Sequence, residues 1–299
     1  MTRRRLFLLA AIIVTAGGFF TFWLFQGPAI VDRDLTGLEG DVGRGAYIAR
    51  LTGCIACHTN IKAGGKVLAG GAPIVTEFGS FYPPNITPHE SDGIGTWDLD
   101  DFTRALTGGK SPQGHAYYPS FPYAFYTRLE DQDIVDLWAA VKSVPAVAGG
   151  PPEHDLNFPF NLRLPLGAWQ RLFLKQGKQP DLPDRDAKWL RGRYLAEATG
   201  HCGACHTPRN LFGARKTDEQ YQGGLAPEGK KVPAITRVAL EKAGWTERDL
   251  AYALKTGILP DGDAFGGAMT EVVQAGTRFW TPEDLEAIAA YIFSPPDEN

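Results

Sequence analysis

Sulfur-bearing residues are the scarce ones in this 299-residue chain. Beyond Met1 there is one methionine, Met269, and there are four cysteines. Basic residues do not dominate either. The formal net charge is −4, and without Arg3, Arg4 and Arg5 it falls to −7, because residues 1–26 contain no acid. That balance argues against nucleic acid as a partner, since affinity for it comes largely from clustered Lys and Arg on phosphates. A basic patch on a partner protein suits the acidic remainder better.

The four cysteines fall into two copies of one frame, Cys54-Ile55-Ala56-Cys57-His58 and Cys202-Gly203-Ala204-Cys205-His206. Two thiols three residues apart can add to the two vinyl groups of one porphyrin, and the histidine that follows is then held against the iron. Two covalently bound haem c groups are therefore expected, with His58 and His206 as proximal ligands. A thioredoxin-like pair needs neither the second copy nor the histidines, and the βαβ pattern that would accompany it is not evident. A structural zinc site wants four converging ligands, whereas each frame supplies three. No cysteine remains for a dihaem enzyme that uses a cysteine ligand.

After Arg3, Arg4 and Arg5 comes an uncharged apolar run from Leu6 to Phe25. Its twenty residues reach roughly 30 Å as a helix at about 1.5 Å per residue, enough for a bilayer. With the positive flank cytoplasmic, the rest of the chain falls on the far side. The expectation is a single-pass bacterial inner-membrane protein with its haem domains in the periplasm. A cleaved signal peptide is the rival, but the run is long for one and residues 26–30 offer no clear Ala-x-Ala site. Thr2-Arg3-Arg4-Arg5 also touches the twin-arginine pattern, a route discounted because haem attachment follows export of an unfolded chain.

The chain is an internal duplication. Arg44-Gly45-Ala46-Tyr47-Ile48-Ala49 matches Arg191-Gly192-Arg193-Tyr194-Leu195-Ala196, each just before a cysteine frame. Trp97, Asp101, Leu106, Gly109, Pro112 and Gly114 lie 148 residues before Trp245, Asp249, Leu254, Gly257, Pro260 and Gly262, the offset that separates Cys54 from Cys202. Each half should contain an Arg-Gly-x-Tyr helix, a Gly/Pro-rich loop, a short helix after Trp97-Asp98 or Trp245-Thr246, and a closing amphipathic helix from Asp131 or Thr281. Thr281 as N-cap, with Pro282 and Asp284 in the first turn, marks the last of these. Leu285, Ile288, Ala289 and Ile292 supply its buried stripe.

The expected domains are an anchor over residues 1–26, haem domains over 41–147 and 186–297, and a linker over 148–185. Phe158, Phe160 and Trp169 make that linker too aromatic to be disordered, so it should pack over the two domains.

A cytochrome that only carries electrons benefits from a sixth ligand, and a thioether raises the potential. Met269, in Gly266-Gly267-Ala268-Met269, is the candidate for the second haem, a poor core filler in such a loop. The offset of 148 maps it onto Phe121, which has no lone pair to donate. The first haem then takes another residue, holds water, or stays five-coordinate beneath Phe121. His115, six residues before Phe121, is the candidate distal ligand, though it corresponds to Asp263. His89 reads as a solvated loop histidine, and His154 and His201 as surface residues, His201 bordering the porphyrin edge.

Taken together, Gly53-Cys54-Ile55-Ala56-Cys57-His58-Thr59, Asn85-Ile86-Thr87-Pro88 with Gly93-Ile94-Gly95, the loop Tyr118 to Tyr123, Asn157-Phe158-Pro159-Phe160-Asn161-Leu162-Arg163 with Trp169, and Gly203-Ala204-Cys205-His206-Thr207-Pro208-Arg209-Asn210 resemble the multihaem cytochrome c subunits of membrane-bound bacterial alcohol, gluconate and related dehydrogenases. The resemblance covers nearly all of the chain beyond its N-terminal run, with two haem domains where those subunits often have three. They usually carry methionine where this chain has Phe121. The resemblance implies an all-α fold of two tandem class I cytochrome c-like domains behind an N-terminal transmembrane helix. It also implies electron transfer from a periplasmic dehydrogenase or other redox partner towards quinone or a terminal oxidase or cytochrome. The rival reading is a haem enzyme, peroxidase-like or gas-binding, that uses an open first haem fed by the Met-ligated second.

Overall fold

A computed structural model describes residues 3–294. The apolar run forms a helix, α1 (Arg3–Phe25), but among the described residues no helix is long and apolar enough to cross a membrane. The expected transmembrane anchor and single-pass inner-membrane placement are corrected on that ground. Thr15, Gly17, Gly18 and Thr21 dilute the apolar character of α1, and both threonine hydroxyls bond its backbone at 2.8 Å. Its last turn is docked on protein. The Arg171 guanidinium lies 3.7 Å from the centre of the Trp23 ring, and Lys110 donates to the Gln26 carbonyl at 3.0 Å.

In the first half, α2 (Val42–Leu51) runs into α3 (Cys54–His58), which carries the first cysteine frame. A hairpin of β1 (Ile74–Thr76) and β2 (Gly79–Phe81) follows. The half is completed by α4 (Leu99–Gly108), α5 (Tyr123–Tyr126) and α6 (Asp131–Ser143). The N-caps work as their residue types dictate: the Asp41 carboxylate accepts the Arg44 N–H and that of Asp98 accepts the Asp101 N–H, each at 2.8 Å.

The connecting segment adds β3 (Asp155–Leu156) to the hairpin edge and then forms α7 (Leu164–Phe173). It touches both halves. Gln170 donates to the Gly109 carbonyl and Trp169 Nε1 to the Phe212 carbonyl, both at 2.9 Å. The second half repeats the plan with α8 (Ala187–Tyr194), the frame helix α9 (Gly203–His206), β4 (Gly224–Leu225), β5 (Lys231–Val232), α10 (Arg237–Lys242), α11 (Glu247–Thr256), α12 (Ala268–Ala275) and α13 (Pro282–Phe293). Five short strands of two or three residues accompany the helices. Ile74-Val75-Thr76 is a β-branched run, suited to a pleat rather than a helix, and it pairs in register with Gly79–Phe81.

The Arg-Gly-x-Tyr repeat is explained by helix packing. A Cβ on Gly45 would lie 1.9 Å from the Asp136 carbonyl oxygen, and one on Gly192 would lie 2.0 Å from that of Ala287. Only glycine lets α2 close onto α6, and α8 onto α13. Around these crossings sit two cores. Ile48, Phe102, Leu106, Ile134 and Leu137 lead one, and Leu195, Leu250, Leu254, Leu285 and Ile288 the other. Each buried aliphatic side chain of this kind contributes about 1.5–3 kcal/mol. The cores exchange members: Tyr194 and Ala198 pack into the first, and Leu51 into the second.

Candidate functional site

Each cysteine frame lies on one helical turn entered from a helix whose Arg and Tyr are tied down. His58 Nδ1 is 2.7 Å from the Pro84 carbonyl, and His206 Nδ1 is 2.8 Å from that of Pro233. A carbonyl can only accept, so Nδ1 carries the proton and the Nε2 lone pair is left for a metal. Burial pushes both imidazoles below their ordinary pKa and keeps them neutral, as a ligand must be. The two prolines escaped the sequence reading, although Pro84-Asn85-Ile86 and Pro233-Ala234-Ile235 form a visible repeat.

No disulfide joins the four cysteines. Burial pushes the Cys57 thiol up to about 11 and the Cys202 thiol up to about 12, and raises Cys54 and Cys205 as well. The Gly70 N–H bonds the His58 carbonyl and the Gly223 N–H that of His206, both at 2.9 Å, so each loop closes on its frame in the same way. Thiol pairs beside a neutral, oriented imidazole fit two haem c groups.

The distal loops keep the 148-residue register. The Tyr117 N–H bonds the Gly109 carbonyl at 2.8 Å and the Phe265 N–H that of Gly257 at 2.9 Å; Ser111 bonds His115 and Leu259 bonds Asp263 in the same manner. Four residues later the halves diverge. Met269 lies in the first turn of α12 rather than in a loop, and it packs against the second core with Cys202 and Trp245. Phe121 packs against the first core with Cys54 and Trp97, its ring 5.8 Å from those of Tyr117 and Tyr126.

His115 sits exposed at the tip of its loop. Its N–H bonds the Ser111 hydroxyl at 3.2 Å. The structure does not bring it to the core that holds Phe121 and Cys54. His89 Nδ1 accepts the Asp92 N–H at 3.2 Å within its own loop. His154 and His201 depart from the surface positions expected of them. His154 packs on Phe81 and Tyr118, ring centres 5.4 and 5.7 Å away, and accepts the Tyr82 N–H at 3.2 Å. His201 lies between the halves, 5.9 Å from the Phe125 ring and 6.1 Å from that of Tyr126.

The halves are joined by a reciprocal exchange. Arg44 pairs with Asp133 of its own half, and Tyr194 of the other half donates to the same carboxylate. Arg191 pairs with Asp284 at 2.7 Å, and Tyr47 donates across to Asp284 at 2.7 Å. Each Arg-Gly-x-Tyr unit therefore anchors its own closing helix through arginine and the other half's through tyrosine. The two frames are held at fixed relative positions by tyrosines seven and eight residues ahead of them.

No protein-family model matches the chain. It is similar to a "Diheme cytochrome c-type" protein of Cereibacter sphaeroides, 41% identical over 304 residues that cover 98% of this chain and 99% of that protein. It is also similar to the cytochrome c subunit of the quinone alcohol dehydrogenase of Gluconobacter oxydans, 36% identical over 86% of this chain and 55% of that subunit. Likewise it is 37% identical to the cytochrome c subunit of the gluconate 2-dehydrogenase of Pantoea cypripedii, over 85% of this chain and 59% of that subunit. The chain thus spans nearly all of the first relative and little more than half of the other two.

Proposed function

The chain belongs to the cytochrome c family of dihaem proteins and dehydrogenase cytochrome subunits, and from that membership we propose that it carries electrons away from a dehydrogenase. It holds two covalently bound haem c groups and is an electron-transfer protein rather than a catalytic subunit. Each group, when bound, supplies a one-electron couple at its iron. Cys54 and Cys57 would attach the first, with His58 at the iron. Cys202 and Cys205 would attach the second, between His206 and Met269.

The observation that carries this reading is the pair of histidines whose Nδ1 atoms are fixed by the Pro84 and Pro233 carbonyls at 2.7 and 2.8 Å. Such bonds orient the ring and raise its basicity at the metal. They also limit reorganisation when charge changes nearby, which suits a carrier. Downstream, a quinone, a terminal oxidase or another cytochrome is the fitting acceptor. One observation favours a second role for the first haem: Phe121 stands where Met269 stands in the other half, leaving a coordination position for a small ligand.

The test is recovery of the tagged full-length protein with its partners. A flavin or quinoprotein dehydrogenase should copurify, and its substrate should reduce both haems. If no dehydrogenase reduces the protein while it turns over peroxide at the first haem, the haem-enzyme reading replaces the carrier.

A further inference from the structure

Met269 stands at the end of a loosely held stretch. A Cβ on Gly262, Gly266 or Gly267, which precede it, would meet nothing within 4 Å, and α12 begins after Gly267 without a side-chain cap. Of the residues of α12, Val273 is the buried one. The far end is better fixed, because Lys255 donates to the Arg278 and Trp280 carbonyls at 2.7 and 3.1 Å. A segment with so few buried apolar contacts opens at low free energy, so whatever else grips α12 decides how firmly Met269 is placed.

Two grips come from the other half. Lys62 Nζ pairs with Glu271 Oε1 at 2.5 Å, two residues beyond Met269. The Arg50 guanidinium lies 4.1 Å from the centre of the Phe279 ring, in the 3₁₀ turn Thr277–Phe279 that follows α12, and a Cβ on Gly276 would lie 4.0 Å from the Arg50 carbonyl oxygen. Arg50 is four residues before Cys54 and Lys62 four after His58. The cations therefore flank the first cysteine frame and hold both ends of the segment that carries the second half's methionine. The duplication does not repeat them. The offset of 147 that relates Arg44 to Arg191 sets Glu197 opposite Arg50, and the offset of 148 sets Asn210 opposite Lys62 and Tyr123 opposite Glu271. The stretch from Phe121 to Thr127 has no charged residue to pair, and its Phe125 is met by Arg215 at 3.9 Å instead.

We propose that Arg50 and Lys62 are positioning residues for Met269, so that the first half of the chain holds the sixth ligand of the second haem in place. The inference rests on the reading that Met269 ligates that iron. Each contact is weak by itself, worth about two- to fivefold in an equilibrium, the scale of a solvent-exposed ion pair or cation–π contact. Their leverage lies in where they act. One holds the first turn of α12 and the other the turn beyond its end, so α12 cannot swing out with its glycine loop until both have let go. A thioether kept at the iron keeps the potential high.

The experiment titrates the full-length ferric protein, both haems attached, with imidazole and follows loss of the charge-transfer band that marks thioether-ligated ferric haem. Imidazole competes with Met269, so its apparent affinity scales with the fraction of molecules whose methionine is off the iron. The imidazole concentration that halves the band should fall about two- to fivefold in Lys62→Glu and in Arg50→Gln, and about tenfold in the two combined. Lys62→Glu with Glu271→Lys restores the pair with its charges exchanged, and Arg50→Lys keeps a cation at the Phe279 ring; both should return the midpoint close to that of the wild type. Lys62 is exposed, so its variants fold and decide the matter even if those of Arg50 do not. Unchanged midpoints in Lys62→Glu, or a fall that the exchanged pair does not reverse, overturn the proposal. So does a loss of stability to denaturant with no change in the midpoint, which is what a merely structural contact would give. A wild type without the band overturns the ligand reading as well, whereas a wild type with the band and an indifferent Lys62→Glu overturns this inference alone.

Discussion

The Tyr47 hydroxyl donates to Asp284, 237 residues away in sequence, at 2.7 Å, and the same phenol oxygen accepts the Thr281 N–H at 3.0 Å. Tyr194 does the converse, donating to Asp133 and accepting the Glu130 N–H at 3.2 Å. Two copies of one domain have thus become each other's helix caps. Both pairs satisfy groups at a helix N-terminus, where a carboxylate is already favoured by the dipole.

The first prediction concerns these bonds. Tyr47→Phe should destabilise the protein by about 1.5–3 kcal/mol, the range for a hydrogen bond to a charged group, and Tyr194→Phe should do the same. Haem content should not change, because neither phenol touches a cysteine frame. Denaturant titration of the purified variants checks it. Two variants as stable as the wild type would show that the exchange is incidental.

Acid should reveal Asp284. Burial opposes its ionisation, but bonds from Arg191 and Tyr47 outweigh this and hold the carboxyl below its ordinary value. A carboxyl depressed on folding contributes stability above its unfolded pKa and loses that contribution as pH falls through the folded one. The loss should therefore begin below about pH 4, the ordinary aspartate value. Asp284→Asn should be less stable at neutral pH and show a shallower acid limb; parallel limbs in the two proteins would rule out this role.

Covalent haem attachment can be read by mass. Wild type should carry two haems, and Cys202→Ala with Cys205→Ala should carry one, with the first haem's spectrum intact. If the double variant lost both haems, the two halves would not load independently.

The duplication and its cysteine frames were legible because covalent attachment demands those residues at that spacing. Thr281, Asp98 and Thr246 marked helix starts for the same kind of local reason. What escaped depends on distance in three dimensions. Arg-Gly-x-Tyr reads identically in both halves, and nothing local reveals that arginine stays at home while tyrosine crosses. His201 read as a surface residue because its burial comes from the approach of Gly53 and Phe125. His154 was misplaced in the same way, since Phe81 of the hairpin and Tyr118 of the loop before α5 both reach it from earlier in the chain. The apolar run to Phe25 did form a helix, but the dilution at Thr15, Gly17, Gly18 and Thr21 and the docking of its last turn on Arg171 counted for more than its length.

Replacing Met269 with Ala should lower the potential of one haem only, because a neutral thioether favours ferrous iron. Redox titration of wild type and variant decides it, and unchanged potentials at both haems would remove Met269 from the iron.

The first haem should behave differently, because Phe121 occupies the place of Met269 and His115 stands exposed at a loop tip. Ferric wild-type protein should show one low-spin His/Met haem and one that is high-spin or water-bound, and the reduced form should bind carbon monoxide at one haem of two. His115→Ala should leave both signals alone. Phe121→Met offers the opposite change: a thioether in the register that serves the second haem should convert the first to low-spin, raise its potential and abolish carbon monoxide binding. The phenylalanine ring lies among Tyr117, Tyr123 and Tyr126, so the smaller, more flexible methionine can be accommodated without displacing them. Two low-spin haems in the wild type, with no uptake of carbon monoxide, would mean that another side chain reaches the first iron, and the inference from the repeat would fail at this position.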